Sequence, residues 1–277
     1  GHGSRSLLRD LPAYSLPAHL DIISQAASAP QITLIGYSMG GRLALHWAIA
    51  HPERIRRLIL VGASPGLATP EERDERRLGD ATLAEFIRTR GLEAFFKYWH
   101  NQTFFQPMLR LPKERLDPIL TRRAQNDPEG LALSLENIGT GTLPSLWHRL
   151  KEIRFPVDLV SGEHDVKFTR LAHEMGAHLP KARHSLIEGA GHADDFGQRD
   201  LALVGAAEYG GHVAAHAHAV GLGGGHHVGE AGQGLVDGGV DVLAAEGLGC
   251  CAEHRDFGRA GRAGPLVAGF IRHQHGV

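Results

Sequence analysis

Cysteine is almost missing from this chain of 277 residues: the two present, Cys250 and Cys251, are adjacent and late, so no disulfide framework can be built from them. There is no run of eighteen apolar residues, which excludes an ordinary membrane-spanning helix, and no leader-like segment is read at its start. An excess of one charge is also lacking. Lys and Arg number 29 against 31 Asp and Glu, and the resulting net charge of −2 is interspersed, which argues against general attraction to nucleic acid or an anionic membrane. Histidine is plentiful, but no spacing resembles a formed metal site, so neither metal nor cofactor is implied. These absences leave a cytoplasmic location as the default, and the chain is expected to be a monomer or weak homo-oligomer. The length suits one α/β domain with a helical cap.

What is present is concentrated in residues 32 to 45, ITLIGYSMGGRLAL. A buried apolar strand (Ile32 to Ile35) leads into Gly36-Tyr37-Ser38-Met39-Gly40, and an amphipathic helix begins at Gly41. That is a G-x-S-x-G nucleophile elbow in a strand–turn–helix setting. Gly36 and Gly40, having no Cβ, let neighbouring backbone pack against the turn. The helix N-terminus below Ser38 offers N–H groups and positive dipole to any charge that forms there.

Two later segments supply partners. FPVDLVSGEHD reads as a strand ending in Asp165, and HSLIEGAGH as a strand ending in His192. The C-terminal ends of strands are where open α/β sheets place their ligand crevice. The chain order Ser38…Asp165…His192 is that of the α/β-hydrolase fold: a mostly parallel sheet with flanking helices. An imidazole near its own pKa can take the serine proton, and a carboxylate on its far nitrogen fixes the tautomer. Alone, Asp165 is as readily a turn residue and His192 one histidine among nineteen; order and spacing together make them a triad.

The segments GYSMGGR (36–42), HPERIRRLILVGASPGL (51–67), GTGTLPSLWHRL (139–150) and SGEHDVKF (161–168) resemble one family. It is the 2-succinyl-6-hydroxy-2,4-cyclohexadiene-1-carboxylate synthases, the MenH-type enzymes of menaquinone biosynthesis. The resemblance covers roughly residues 1 to 193. It implies a lyase in which the triad serine removes a ring proton, pyruvate leaves an enolpyruvyl ether and a cyclohexadiene forms. It also implies that GHGSR enters a family segment partway. The first strands are then absent, with the loop that donates one oxyanion-hole N–H, leaving the backbone N–H of Met39 as the other donor. On this reading the chain is truncated at its N-terminus, and β-strand Ile32 to Ile35 has an unpaired edge.

Three regions follow along the chain. Residues 1–64 and 151–193 form the partial α/β-hydrolase core. Residues 65–150 are charged and helical, with helices suggested by EERDERRLGD, LAEFIRTRGLEAFFKYWH, KERLDPILTRRAQ and GLALSLENI, and they form the cap. Residues 194–277 depart from the family. With 20 glycines in 84 residues and no lysine, they are expected to be a disordered or frame-shifted tail unable to fill a core.

A multi-carboxylate substrate needs cations, and a planar guanidinium can grip a carboxylate bidentately. The resemblance carries substrate binding onto Arg42, one turn into the nucleophile helix, onto Arg76 in EERDERR and onto Arg123 in TRRAQND. Arg73, Arg77 and Arg122 stand beside them as neighbours. Tyr37, Met39, Trp99 and Phe105 complete the implied site, although aromatics at helical spacing are usually packing residues. Two alternatives stay open: a serine ester hydrolase on the same triad, and a fragment without activity.

Overall fold

The computed structural model describes residues 10–27, 29–102, 106–192, 217–219 and 242–246. Four parallel strands form its centre: β1 (Ile32–Tyr37), β2 (Ile55–Val61), β3 (Val157–Gly162) and β4 (Ala182–Ile187), in spatial order β4-β3-β2-β1. β1, β2 and β3 are mostly apolar and mostly buried, as inner strands of a parallel sheet require, whereas β4 (ARHSLI) mixes half-buried and exposed residues. Helix α1 (Leu16–Ala26), not expected from sequence, starts at Ser15, whose Oγ accepts the Ala18 N–H at 3.3 Å. With α2 (Met39–Ala50) and α7 (Val166–His178), it packs on one face of the sheet.

Helix α2 is buried along its whole length except at Ala50. Leu43, Leu45 and Trp47 are fully enclosed, packing with Leu34, Leu58 and Leu60 of the strands. Each such side chain contributes roughly 1.5–3 kcal/mol on burial. Trp47 has a polar edge to satisfy, and its Nε1–H donates to Ser24 Oγ of α1 at 2.8 Å. On β2, β3 and β4, Arg57 and Arg183 both donate to the buried carboxylate of Asp158. This group ties together three strands whose C-terminal ends carry the site.

The cap is a separate layer of helices. Helix α3 (Pro70–His100) opens with a capping box, in which Thr69 Oγ1 accepts from the Glu72 N–H and Glu72 reaches back to the Thr69 N–H. It is broken at Gly91, where φ is 76° and a Cβ would meet nothing within 4 Å; glycine is there for conformation, not for space. The stretch therefore comprises two helical parts that meet at Gly91, a break that falls inside the second of the segments read as helical. Helices α4 (Gln106–Leu109), α5 (Lys113–Ala124) and α6 (Pro128–Ile138) follow. Leu83, Ile87, Phe95, Phe96, Trp99, Met108, Leu131 and Leu135 give the cap its own apolar core. Where the chain returns to the sheet, the Leu146 N–H donates to the Pro65 carbonyl at 2.7 Å and Trp147 Nε1–H to the Gly66 carbonyl at 3.0 Å. Both ends of the insertion are thus clamped together over the nucleophile turn.

The region after Ala193 contributes more than expected. Its segments Ala217–Ala219 (β5) and Val242–Glu246 (β6) extend the sheet to six strands, in order β4-β3-β2-β1-β6-β5. β6 pairs in parallel with β1 from Thr33↔Val242 to Tyr37↔Glu246, so the β1 edge expected to be open is covered. The physical reason is the demand of β1 itself. A central apolar strand needs partners for its backbone groups, and VLAAE is a short stretch without glycine in a glycine-rich region.

Candidate active site

Ser38 sits between β1 and α2 with φ 50°, the only non-glycine residue at positive φ among the described residues. Such a conformation costs about 1–3 kcal/mol and persists only where its surroundings hold it. Here the Ser38 N–H donates to the Val61 carbonyl of β2 at 2.9 Å, and its own carbonyl accepts from the Arg42 N–H at 3.2 Å. The close approach of strand and helix needs glycine at Gly36, as expected from sequence, and also at Gly41. A Cβ on Gly36 would lie 2.6 Å from Gly41 Cα, and one on Gly41 would lie 2.4 Å from Ala63 Cβ. The helix begins at Met39, two residues before its expected start. As the first helical residue, Met39 has an N–H with no carbonyl behind it in the helix, directed toward the serine side.

Ser38 Oγ lies 3.1 Å from His192 Nε2, and His192 Nδ1 lies 2.6 Å from Asp165 Oδ2. All three residues are buried. An ionised carboxylate only accepts, so Nδ1 carries the imidazole proton and Nε2 is left to take the hydroxyl proton. The sequence reading placed Asp165 and His192 at strand ends, and the structure puts neither in a strand. Asp165 is the N-cap of α7, and His192 follows β4 by five residues in a loop. Asp165 divides its two oxygens: Oδ1 accepts the Phe168 N–H at 3.2 Å, capping the helix, while Oδ2 holds the imidazole.

Three contacts that sequence reasoning did not assign fix the His192 ring. Phe168 stacks on it, with centroids 4.3 Å apart and planes 23° from parallel. Tyr37 OH donates to the His192 carbonyl at 2.7 Å. Gly62, at φ 53°, lies under the ring, where a Cβ would come within 2.9 Å of Cε1. SGEHDVKF contained Phe168, but only the turn of α7 shows that it faces the imidazole.

The cations divide into two groups. Arg42 is only 3% exposed, yet its Nε and Nη2 have no hydrogen-bond partner. A buried guanidinium in that condition is expensive unless an anion completes it. Beside it on α2, burial pushes His46 down to about 4, helped by Arg42 and Arg149, so His46 is neutral and adds no charge. Arg76, on α3, is buried and donates through Nε to Asp80 Oδ1 at 2.7 Å. Arg123 is elsewhere in the cap: its Nη1 donates to His100 Nε2 at 3.1 Å, and His100 stacks on Phe96. Trp99 is enclosed in the cap core, stacked on Phe95 at 5.4 Å, which is the packing role that competed with a pocket role in the sequence. Met39 packs its side chain against Ile138 and Leu143 of the cap return. Phe105 lies outside the described residues, and Arg122 is described only in its backbone. Among the described residues no group of three or more metal-ligating side chains occurs, and no helix is long and apolar enough to cross a membrane.

A serine on a strained strand–helix turn, a histidine and a capping aspartate above a parallel sheet with a helical lid define an α/β-hydrolase-fold protein. Comparison with known proteins agrees: residues 1–194 match the family described as alpha/beta hydrolase fold. The chain is 46% identical over 162 residues to a Bacillus subtilis protein assigned as 2-succinyl-6-hydroxy-2,4-cyclohexadiene-1-carboxylate synthase, spanning 58% of this chain and 59% of that one. It is 33% identical over 186 residues to the synthase of that name from Pectobacterium atrosepticum, covering 62% of this chain and 72% of the relative. The solved structure of MenH from S. aureus superposes with a TM-score of 0.67 at 35% identity, over 74% of this chain and 79% of that one. The chain belongs to the 2-succinyl-6-hydroxy-2,4-cyclohexadiene-1-carboxylate synthase family, within the alpha/beta hydrolase fold.

Proposed function

We propose that this protein eliminates pyruvate from 2-succinyl-5-enolpyruvyl-6-hydroxy-3-cyclohexene-1-carboxylate, giving 2-succinyl-6-hydroxy-2,4-cyclohexadiene-1-carboxylate, a step of menaquinone biosynthesis. The observation that carries this reading is Arg42: a buried, partly unpartnered guanidinium one turn from Ser38. An ester pocket has no use for it, whereas a substrate with several carboxylates does.

The bond changes follow from the two ring names. The proton on ring carbon 2 is acidified by the ketone of the succinyl group. Ser38, its hydroxyl proton passed to His192 Nε2, removes that proton. Electrons then shift to make the 2,3 double bond, the 3,4 double bond moves to 4,5, and the bond from carbon 5 to the enolpyruvyl oxygen breaks. The departing enolate takes a proton on carbon and becomes pyruvate. Asp165 steadies the imidazolium formed in between, and the Met39 N–H faces negative charge gathering on the ketone oxygen. Arg42 and Arg76 are assigned to substrate carboxylates and Tyr37 to the wall beside Ser38.

The test is stoichiometry. One pyruvate should appear for each cyclohexadiene chromophore, and intact-mass spectrometry during turnover should show Ser38 unmodified. An acyl adduct on Ser38 with ester turnover and no pyruvate would replace this reading with the hydrolase.

A further inference from the structure

Arg42 and Arg76 bring two positive charges beneath the cap, from α2 and α3 respectively, and both side chains are buried. Two guanidiniums sharing a dry pocket repel unless something negative stands with them. Asp80 is that group. It is 3% exposed, one helical turn beyond Arg76, and takes the Arg76 Nε–H on Oδ1 at 2.7 Å. Its second oxygen, Oδ2, has no hydrogen-bond partner. Burial raises the Asp80 pKa, and Arg76 and then Arg42 oppose that rise, so the carboxylate feels both guanidiniums.

The seat of this carboxylate is shaped from the other side of the cap. Asp80 Oδ2 lies against the backbone that ends α6, where a Cβ on Gly139 would come within 2.4 Å of it and within 2.3 Å of the Leu135 carbonyl oxygen. Gly139 has φ −60° and ψ 162°, a conformation open to any residue. Glycine is therefore required here for room, which is shared between the Leu135 carbonyl and Asp80 Oδ2.

We propose that Asp80, seated against Gly139, is a positioning residue of the substrate site: it fixes the Arg76 guanidinium and offsets one of two buried positive charges, so that the Arg42–Arg76–Asp80 group keeps a single net positive charge for one substrate carboxylate. The inference rests on the pyruvate-eliminating function above. A plain helix-stabilising pair would need neither the contact with Gly139 nor the neighbourhood of Arg42.

A double-mutant cycle tests it, with KM for pyruvate release and calorimetric Kd for 2-succinylbenzoate, an aromatic analogue of the product, as the two readouts. Arg76→Ala and Asp80→Ala should each raise KM and Kd by about tenfold or more, the loss of one charge-assisted contact, while kcat stays within about threefold. Asp80→Ala made in the Arg76→Ala background should add nothing, because the aspartate acts through that arginine. Asp80→Asn, which keeps an oxygen for Nε but not the negative charge, should restore only part of the binding. Gly139→Ala, which also crowds the Leu135 carbonyl, should raise KM more in the wild-type background than in Arg76→Ala. If Asp80→Ala does not fold, the Asn and Gly139→Ala variants carry the test by the same criterion. The inference is overturned if Asp80→Ala weakens binding equally with and without Arg76, or leaves it unchanged. Wild-type protein that neither binds 2-succinylbenzoate nor releases pyruvate contradicts the function itself, a different and separately visible outcome.

Discussion

Phe168 lies flat on His192, and both are positioned by one carboxylate: Asp165 caps the helix that carries the phenyl ring and holds the imidazole through its other oxygen. The relay is thereby set by helix α7 and not by the loop of His192 alone. An imidazole held between a stacked ring and a carboxylate loses little orientational freedom when it becomes charged.

Phe168→Leu keeps most of the buried volume and removes the stack. A stacked aromatic pair is worth about 0.5–1.5 kcal/mol beyond its area, so kcat should fall about threefold to tenfold with KM nearly unchanged. Steady-state pyruvate release with a parallel melting curve checks this. A fall in KM-dependent binding instead would place Phe168 in the pocket wall.

Asp165→Asn separates the two duties of that residue. Asparagine is as good an N-cap as aspartate, so the melting temperature should barely move. Its amide cannot hold the imidazole in the required tautomer, so kcat should drop by roughly a thousandfold or more. Circular dichroism melting and kcat measured on one preparation decide the point. Loss of both together would mean that Asp165 acts chiefly as a cap.

Arg42→Lys should remain impaired despite keeping the charge. A point ammonium cannot reproduce a two-nitrogen grip on a carboxylate, and kcat/KM should fall at least about tenfold. Full activity in the lysine variant would remove the geometric argument for Arg42.

Stability should depend on acid through the buried histidines. His46 is pushed down to about 4, by burial first, then Arg42 and Arg149; His100 is also pushed down to about 4, by burial and then Arg123. Their folded pKa values lie below the unfolded value of 6.5, so the unfolded chain binds more protons between those limits. Their contribution is complete above about 6.5 and is lost as pH falls toward 4, with His46 accounting for roughly 3 kcal/mol at most. Urea melts across this range should show stability falling, and His46→Gln should flatten the slope. A slope unchanged by that substitution would show that His46 titrates normally.

The elbow and the chain order of Ser38, Asp165 and His192 are legible in sequence because they are local: strand, turn and helix each announce themselves within a few residues. The cap helices are legible for the same reason, through charge and helical patterning of each segment. What sequence leaves hidden is contact across elements. Nothing in GASPGL marks Gly62 as the floor under the imidazole, and nothing in ENIGTG marks Gly139 as the seat of Asp80. Helix α1 was missed because its apolar residues pack on α2, a partner visible only in the fold. β6 was missed because its five residues are surrounded by glycine, and pairing with β1 is a long-range event without a local signature. Arg42 could be named from its resemblance to a family, but its bare nitrogens are a property of burial.

The most direct measurement is pyruvate released from 2-succinyl-5-enolpyruvyl-6-hydroxy-3-cyclohexene-1-carboxylate by wild-type protein and by Ser38→Ala, with p-nitrophenyl acetate hydrolysis followed in parallel. Proton removal by Ser38 predicts pyruvate from the wild type, a loss of roughly a thousandfold or more in the alanine variant, and little ester turnover in either. Near-normal pyruvate release by Ser38→Ala, or rapid ester turnover without pyruvate, would contradict it.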